Sequence, residues 1–123
     1  MSRLDKTTKV LDAVLAGEIS ANQPQAYVSF FDENLEGEDT KGSAQETDLD
    51  STTDATICAA PAVQGFVRLI DTITIYNKDT ATVTVIVKVD DGGTETILTR
   101  RTLLTLETLA YEHGVGWYIM SVT

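Results

Sequence analysis

Apolar and polar residues alternate with a period of two through residues 81–89. Val83, Val85, Val87 and Val89 fall on one side, Thr82, Thr84 and Lys88 on the other. Successive side chains of a strand point to opposite faces, so the pattern predicts a strand with one face buried. Residues 67–76 alternate in the same way, and Asn77-Lys78-Asp79-Thr80 between the two runs carries side chains that bond their own backbone in turns. The pair therefore reads as a hairpin. Asp71 falls on the apolar side with Leu69, Ile73 and Ile75, which requires either a base facing it or a bulge that shifts the register.

Asp90-Asp91-Gly92-Gly93 is a strong turn, because glycine accepts the positive φ of tight hairpins; residues 94–103 then return as a third strand. Residues 106–111 and 117–122 are two further candidates, separated by His113-Gly114-Val115-Gly116. Upstream, residues 27–31 predict a strand. Residues 9–16 fit either a strand ending at Gly17 or a helix with Val10, Val14 and Leu11, Leu15 on one face, and the strand is favoured. Nineteen threonines and many valines and isoleucines point the same way, since β-branched side chains suit a pleated surface. No amphipathic helix is available as a crossover, so the expectation is all-β: an antiparallel β-sandwich, with jelly roll and simpler sandwich both open.

Charge changes this picture in one place. Residues 32–54 hold nine of the nineteen acids against one base, Lys41, and almost no apolar residue. Such a segment buries too little to fix its own backbone, which predicts a long solvated acidic loop over 32–56. The 123 residues then form a single domain: residues 1–20 an arm or strand, the acidic loop, and a β core over 57–123. The formal charge of −10 disfavours nucleic acid and anionic membranes as partners. No run reaches the ~18 apolar residues of a membrane span, and the first residues lack the apolar stretch of a secretion signal.

Candidate chemistry is thin. Cys58, the single cysteine, excludes an internal disulfide; in its apolar run the thiol reads as an inert small hydrophobe. One cysteine and one histidine cannot build a four-ligand zinc site. His113 lies in a turn signature. Asp90-Asp91-Gly92-Gly93-Thr94-Glu95 lacks the spaced ligands of a calcium loop, and Gly114-x-Gly116 lacks the basic residue of a phosphate cradle. The expectation is no enzyme, no cofactor and no metal. Trp117 and Tyr118 must face opposite sides of a strand, one to the core and one outward, and Arg68, Arg100 and Arg101 are expected to pair across strands.

The C-terminal half resembles a known group. Residues 59–68, Ile73-Thr74-Ile75-Tyr76-Asn77-Lys78-Asp79-Thr80-Ala81-Thr82-Val83-Thr84-Val85, Val89-Asp90-Asp91-Gly92-Gly93-Thr94, Glu107-Thr108-Leu109 and Tyr111-Glu112-His113-Gly114-Val115-Gly116-Trp117 are similar to a small β-sandwich domain that recurs in tailed-bacteriophage virion proteins of head-decoration, head-fibre or tail-associated type. The likeness covers residues 59–122. One departure stands out: the group usually carries a glycine just before the equivalent of Glu107-Thr108-Leu109, where this chain reads Leu104-Thr105-Leu106. Either the turn is wider there, or Leu104 and Leu106 face a neighbouring subunit. The resemblance implies a capsid decoration (cement) protein on the virion exterior, binding the assembled major capsid protein as a homo-oligomer, trimer favoured. The alternative it implies is a fibre or tail module that binds a receptor or glycan. Leu4, Val10, Leu11, Val14, Leu15, Glu36, Glu38 and Asp39 are the expected capsid contacts.

Overall fold

The structure is a computed structural model and describes residues 3–34 and 40–121, with the side chains of residues 40 and 41 outside the description. It is an all-β molecule of two packed antiparallel sheets, as the alternation predicts. The strands are β1 (Arg3–Leu4), β2 (Lys9–Leu15), β3 (Gln25–Asn34), β4 (Thr40–Asp48), β5 (Ala55–Cys58), β6 (Phe66–Tyr76), β7 (Val83–Asp91), β8 (Thr94–Leu103), β9 (Thr108–Glu112) and β10 (Gly116–Met120). One sheet runs β10-β9-β6-β3-β4, with β1 against the first half of β6; the other runs β5-β2-β7-β8. Their inner faces share one core, in which Leu11, Val28, Ile57, Ile73, Ile75, Val85, Val87, Leu103 and Leu109 have no exposed surface. Residues 9–15 are a strand, which settles the choice left open by their spacing.

Two expectations are corrected. Residues 66–76 and 83–91 are not a hairpin, because β6 pairs with β3 and β9 while β7 pairs with β2 and β8, in the other sheet. Asn77 to Thr80 carries the chain from one layer to the other, and the side-chain bonds that suggest a tight turn fasten the crossing instead. The acidic segment is not one long loop either. Thr40–Asp48 pairs with β3 along its length, Glu33 opposite Thr40 through Gln25 opposite Asp48. The inward positions of β4 are polar, Ser43, Gln45 and Thr47 opposite the buried Phe30, Val28 and Ala26, so no apolar alternation marks the strand. Its stability comes from the neighbouring strand and from Gln45, which bonds both Thr56 O (2.9 Å) and Ala59 N (2.9 Å) beside β5.

The misplaced Asp71 is resolved by a bulge. Ser29 pairs with Thr72 and Phe30 with Ile70, so Asp71 is the extra residue on β6 and the inward set shifts from Ile73 and Ile75 to Ile70 and Arg68. The Arg68 guanidinium then lies 4.1 Å over the Phe30 ring and meets Asp32 through Nε (2.7 Å) and Nη2 (2.9 Å), closing the core at that end.

Candidate functional site

The turn between β8 and β9 is a constrained surface feature. Leu104, Thr105 and Leu106 are all exposed, the leucines by 59% and 44%, although three successive apolar or half-apolar residues would ordinarily be covered. Glu107 N donates to Leu104 O (3.1 Å), and Leu104 N donates back to Glu107 Oε1 (2.7 Å), so the turn is tight rather than wide. Leu106 stands at φ 69°. A bulky side chain in the left-handed region costs about 1–2 kcal/mol, which is why glycine is the usual residue there. Leu106 thus holds a backbone conformation that glycine ordinarily supplies.

The layer-crossing segment supports this turn from beneath. Leu106 N donates to Asn77 O (2.7 Å), Asn77 N to Glu107 O (2.9 Å), and the Thr105 hydroxyl to Asp79 O. The Asn77 side chain, fully buried, donates from Nδ2 to Ala81 O and Leu103 O (both 3.1 Å) and accepts from Asp79 N (3.0 Å). The Asp79 carboxylate, equally enclosed, accepts from the backbone N–H groups of Ser20 (2.9 Å), Ala21 (2.8 Å), Asn22 (3.1 Å) and Thr80 (2.8 Å). Those donors, Ser20 first, hold its pKa down to about 2, because each bond favours the charged form. Asn77 and Asp79 therefore lock the β2–β3 connection, the crossing and the Leu104–Leu106 turn into one rigid end of the sandwich. The sequence shows Asn77-Lys78-Asp79 as turn chemistry; their long-range partners leave no local signal.

A second cluster lies on the outer face of the smaller sheet. Asp12, buried, accepts from Thr56 Oγ1 (2.9 Å), and its carboxylate lies close to those of Asp54 and Glu95. Three carboxylates so placed could hold a cation, but Lys88 Nζ already occupies that role at 2.9 Å from Asp54 and 2.8 Å from Glu95. Burial, with Asp54 and Asp90 adding to it, raises the Asp12 pKa; the bonds to Glu95 and Asp54 raise that of Lys88. The Asp90–Gly93 turn is a hairpin turn as expected, with Gly92 and Gly93 at φ 61° and 103° and Asp90 Oδ1 accepting from Gly93 N (2.7 Å). Asp91 there takes Thr8 Oγ1 (2.8 Å) and Lys6 Nζ (3.1 Å), which lower its pKa.

The reactive residues are separated. Cys58 is fully buried at the end of β5, and burial pushes its thiol up to about 11. His113 is exposed on the β9–β10 turn of the other sheet, its backbone N–H donating to Asp71 O (2.9 Å), beside a shallow apolar depression of about 140 Å³ lined by Phe31, Leu69 and Ile70. Arg68 pairs across strands as expected; Arg100 and Arg101 are exposed on β8, and Arg101 Nε bonds Thr99 Oγ1 (3.1 Å). Trp117 faces the core and meets Tyr111 with ring centroids 5.0 Å apart. Tyr118 faces outward with Tyr27 and Tyr76, and burial together with the Glu112 carboxylate raises its pKa.

Of the expected capsid contacts, Leu4, Leu11, Val14 and Leu15 are buried, Leu4, Leu11 and Leu15 in the core. This is a correction: apolar residues at strand spacing were legible, but burial in the sandwich consumes them. Val10 is half-buried on the outer face of β2, and Glu36, Glu38 and Asp39 lie outside the described residues. Leu104 and Leu106 are among the large apolar side chains that are exposed, with Tyr27, Phe31, Val63, Ile97, Val115 and Met120. No family model, curated protein or solved structure matches the chain.

Proposed function

We propose that the protein is a structural component of a tailed-bacteriophage virion, a decoration protein that binds the exterior of the assembled major capsid lattice as an oligomer and stabilises the shell. The observation that carries this reading is Leu106: an exposed leucine kept in a glycine's conformation, beside exposed Leu104, on a turn immobilised by buried Asn77 and Asp79. Backbone strain of this kind persists only where the surrounding structure over-determines it, and it clusters at binding and switch positions. A rigid apolar knob loses little conformational entropy on docking, and many copies on a lattice add their interface free energies against the pressure of packaged DNA. The net charge of −10 supports the outer rather than the inner surface. The test is an image reconstruction of particles carrying the protein: density for a two-sheet domain on the outer capsid surface, with the 104–106 turn against capsid protein, is the expected result. Density confined to a fibre or tail tip would replace the reading.

A second reading, a receptor- or glycan-binding module, draws on the outer face of the larger sheet, where Tyr27 (45% exposed), Tyr76 and Tyr118 stand clear of the core. Aromatic faces of this kind stack on sugars. Binding to a glycan array that is lost in Tyr27→Ala would favour it over the capsid reading.

A further inference from the structure

The two flanks of the sandwich are finished differently. Where β4 lies over β5, the inward side chains are polar and stitch the layers: Gln45 bonds Thr56 O and Ala59 N, and Thr47 Oγ1 bonds Thr56 O (3.3 Å). On the opposite flank, where β10 ends one sheet and β8 the other, the inward side chains are apolar and incompletely covered. Trp117 and Ile119 pair with Tyr111 and Leu109, both buried, and so face the core, yet both remain half-exposed. Leu98, the bulged residue of β8, is half-exposed as well, and exposed apolar side chains continue along both edges: Val115 (69%) in the β9–β10 turn, Met120 (45%) on the outer face of β10 and Ile97 (63%) on the outer face of β8, opposite Lys88.

We propose that this flank is the contact for a second copy of the chain, joined antiparallel through β10 about a two-fold axis at Tyr118. The charge pattern selects that occupant. Each chain carries −10, so copies repel unless the touching edges are free of acids or self-complementary. β10, Gly116-Trp117-Tyr118-Ile119-Met120, has no charge, and an uncharged apolar edge strand is a template for strand addition. With the axis at Tyr118, Trp117 of each copy lies opposite Ile119 of the other and Gly116 opposite Met120, covering the half-open core residues. The same axis, normal to both layers, turns the β8 strands antiparallel to each other. That carries Glu95, which also meets Lys88 of its own chain, at the start of one β8 toward Arg100, on the same face near the end of the other; among the described residues Arg100 pairs with no carboxylate of its own chain. The contact is isologous and closes at two subunits, unlike the three-fold arrangement implied by the resemblance.

The proposal is independent of the capsid reading and is tested on the free protein. Sedimentation equilibrium at about 10–100 μM, the range of modest homodimers, is expected to give a dimer. Tyr118→Lys, which sets two ammonium groups against each other on the axis, is expected to weaken the dimer at least 100-fold with an unchanged circular dichroism spectrum. Tyr118→Cys is expected to form a disulfide-linked dimer on mild oxidation; the enclosed Cys58 does not compete, and Tyr27→Cys, on the same face three strands away, does not cross-link. A monomer or a trimer of the natural sequence, or a dimer that survives Tyr118→Lys and leaves Tyr118→Cys unlinked, would overturn it.

Discussion

Asn77 is the residue on which the rigid end of the sandwich depends, and its replacement has a calculable cost. The side chain is wholly enclosed and makes three hydrogen bonds, to Ala81 O, Leu103 O and Asp79 N. Asn77→Ala removes all three and takes a partner from two carbonyls and one N–H, those of Leu103 and Asp79 in buried positions and that of Ala81 in a half-buried one. At about 1 kcal/mol for each bond, and more where a buried partner is orphaned, the loss is about 3 kcal/mol. For a chain of this size that corresponds to a fall in Tm of about 10–15 °C, or of about 2 M in the urea midpoint at an m value near ~1.5 kcal/mol/M. Asn77→Asp separates hydrogen bonding from shape. Its ionised carboxylate would face two carbonyl oxygens and raise its own pKa in the folded state, so the raised-pKa rule applies: the variant is closest to the natural sequence near pH 4 and loses stability as pH rises through that folded pKa. Urea denaturation of both variants at pH 4.5 and pH 7 makes the comparison. A cost below about 0.5 kcal/mol for Asn77→Ala, or an Asn77→Asp deficit that does not grow with pH, would refute the claim that this side chain ties the two layers together.

Three further outcomes follow from the same geometry. Asp79, whose pKa is held at about 2 against an ordinary value near ~3.9, contributes stability that is complete above pH 4 and lost as pH falls toward 2; Asp79→Asn should flatten the acid-unfolding profile in that window, and an unchanged profile would remove the carboxylate from its assigned place. Cys58, buried with its thiol pushed up to about 11, should resist iodoacetamide in the folded protein and react at the rate of global unfolding, as followed by mass spectrometry; rapid labelling under native conditions would contradict its burial. Replacing Leu106 by Gly removes the left-handed strain along with a half-exposed side chain, so its thermal stability should change by less than about 1 kcal/mol; a loss of several would mean the leucine serves the fold.

The strands rich in valine, isoleucine and threonine were legible because a buried inner face and a solvated outer face impose a period of two, as in β7. β4 was not, because its inward positions are Ser43, Gln45 and Thr47, whose role is to bond the backbone beside β5 rather than to fill the core. The pairing partners of β6 and β7 were hidden for a related reason: Asn77 and Asp79 are turn-forming residues, and a turn between strands of one sheet uses the same chemistry as a crossing between two. The place of Asp71 among apolar residues marked an irregularity that a facing base or a bulge would equally relieve, and only the pairing of β3 with β6 decides for the bulge. The N-terminal apolar residues Leu4, Leu11 and Leu15 promised a sticky surface only because a sequence does not show which strands cover them. The exposure of Leu104 and Leu106 was not legible either, because a wide turn and an outward-facing leucine pair leave the same text.

Co-sedimentation with undecorated phage heads decides whether the exposed Leu104–Leu106 turn fastens this domain to an assembled shell, as proposed. The natural protein should pellet with heads at micromolar concentration, and Leu104→Ser/Leu106→Ser, with its fold intact, should bind about 100-fold more weakly, roughly tenfold for each leucine withdrawn from an apolar contact. A natural protein that stays in the supernatant, or a double variant that pellets as well as the natural one, would contradict it.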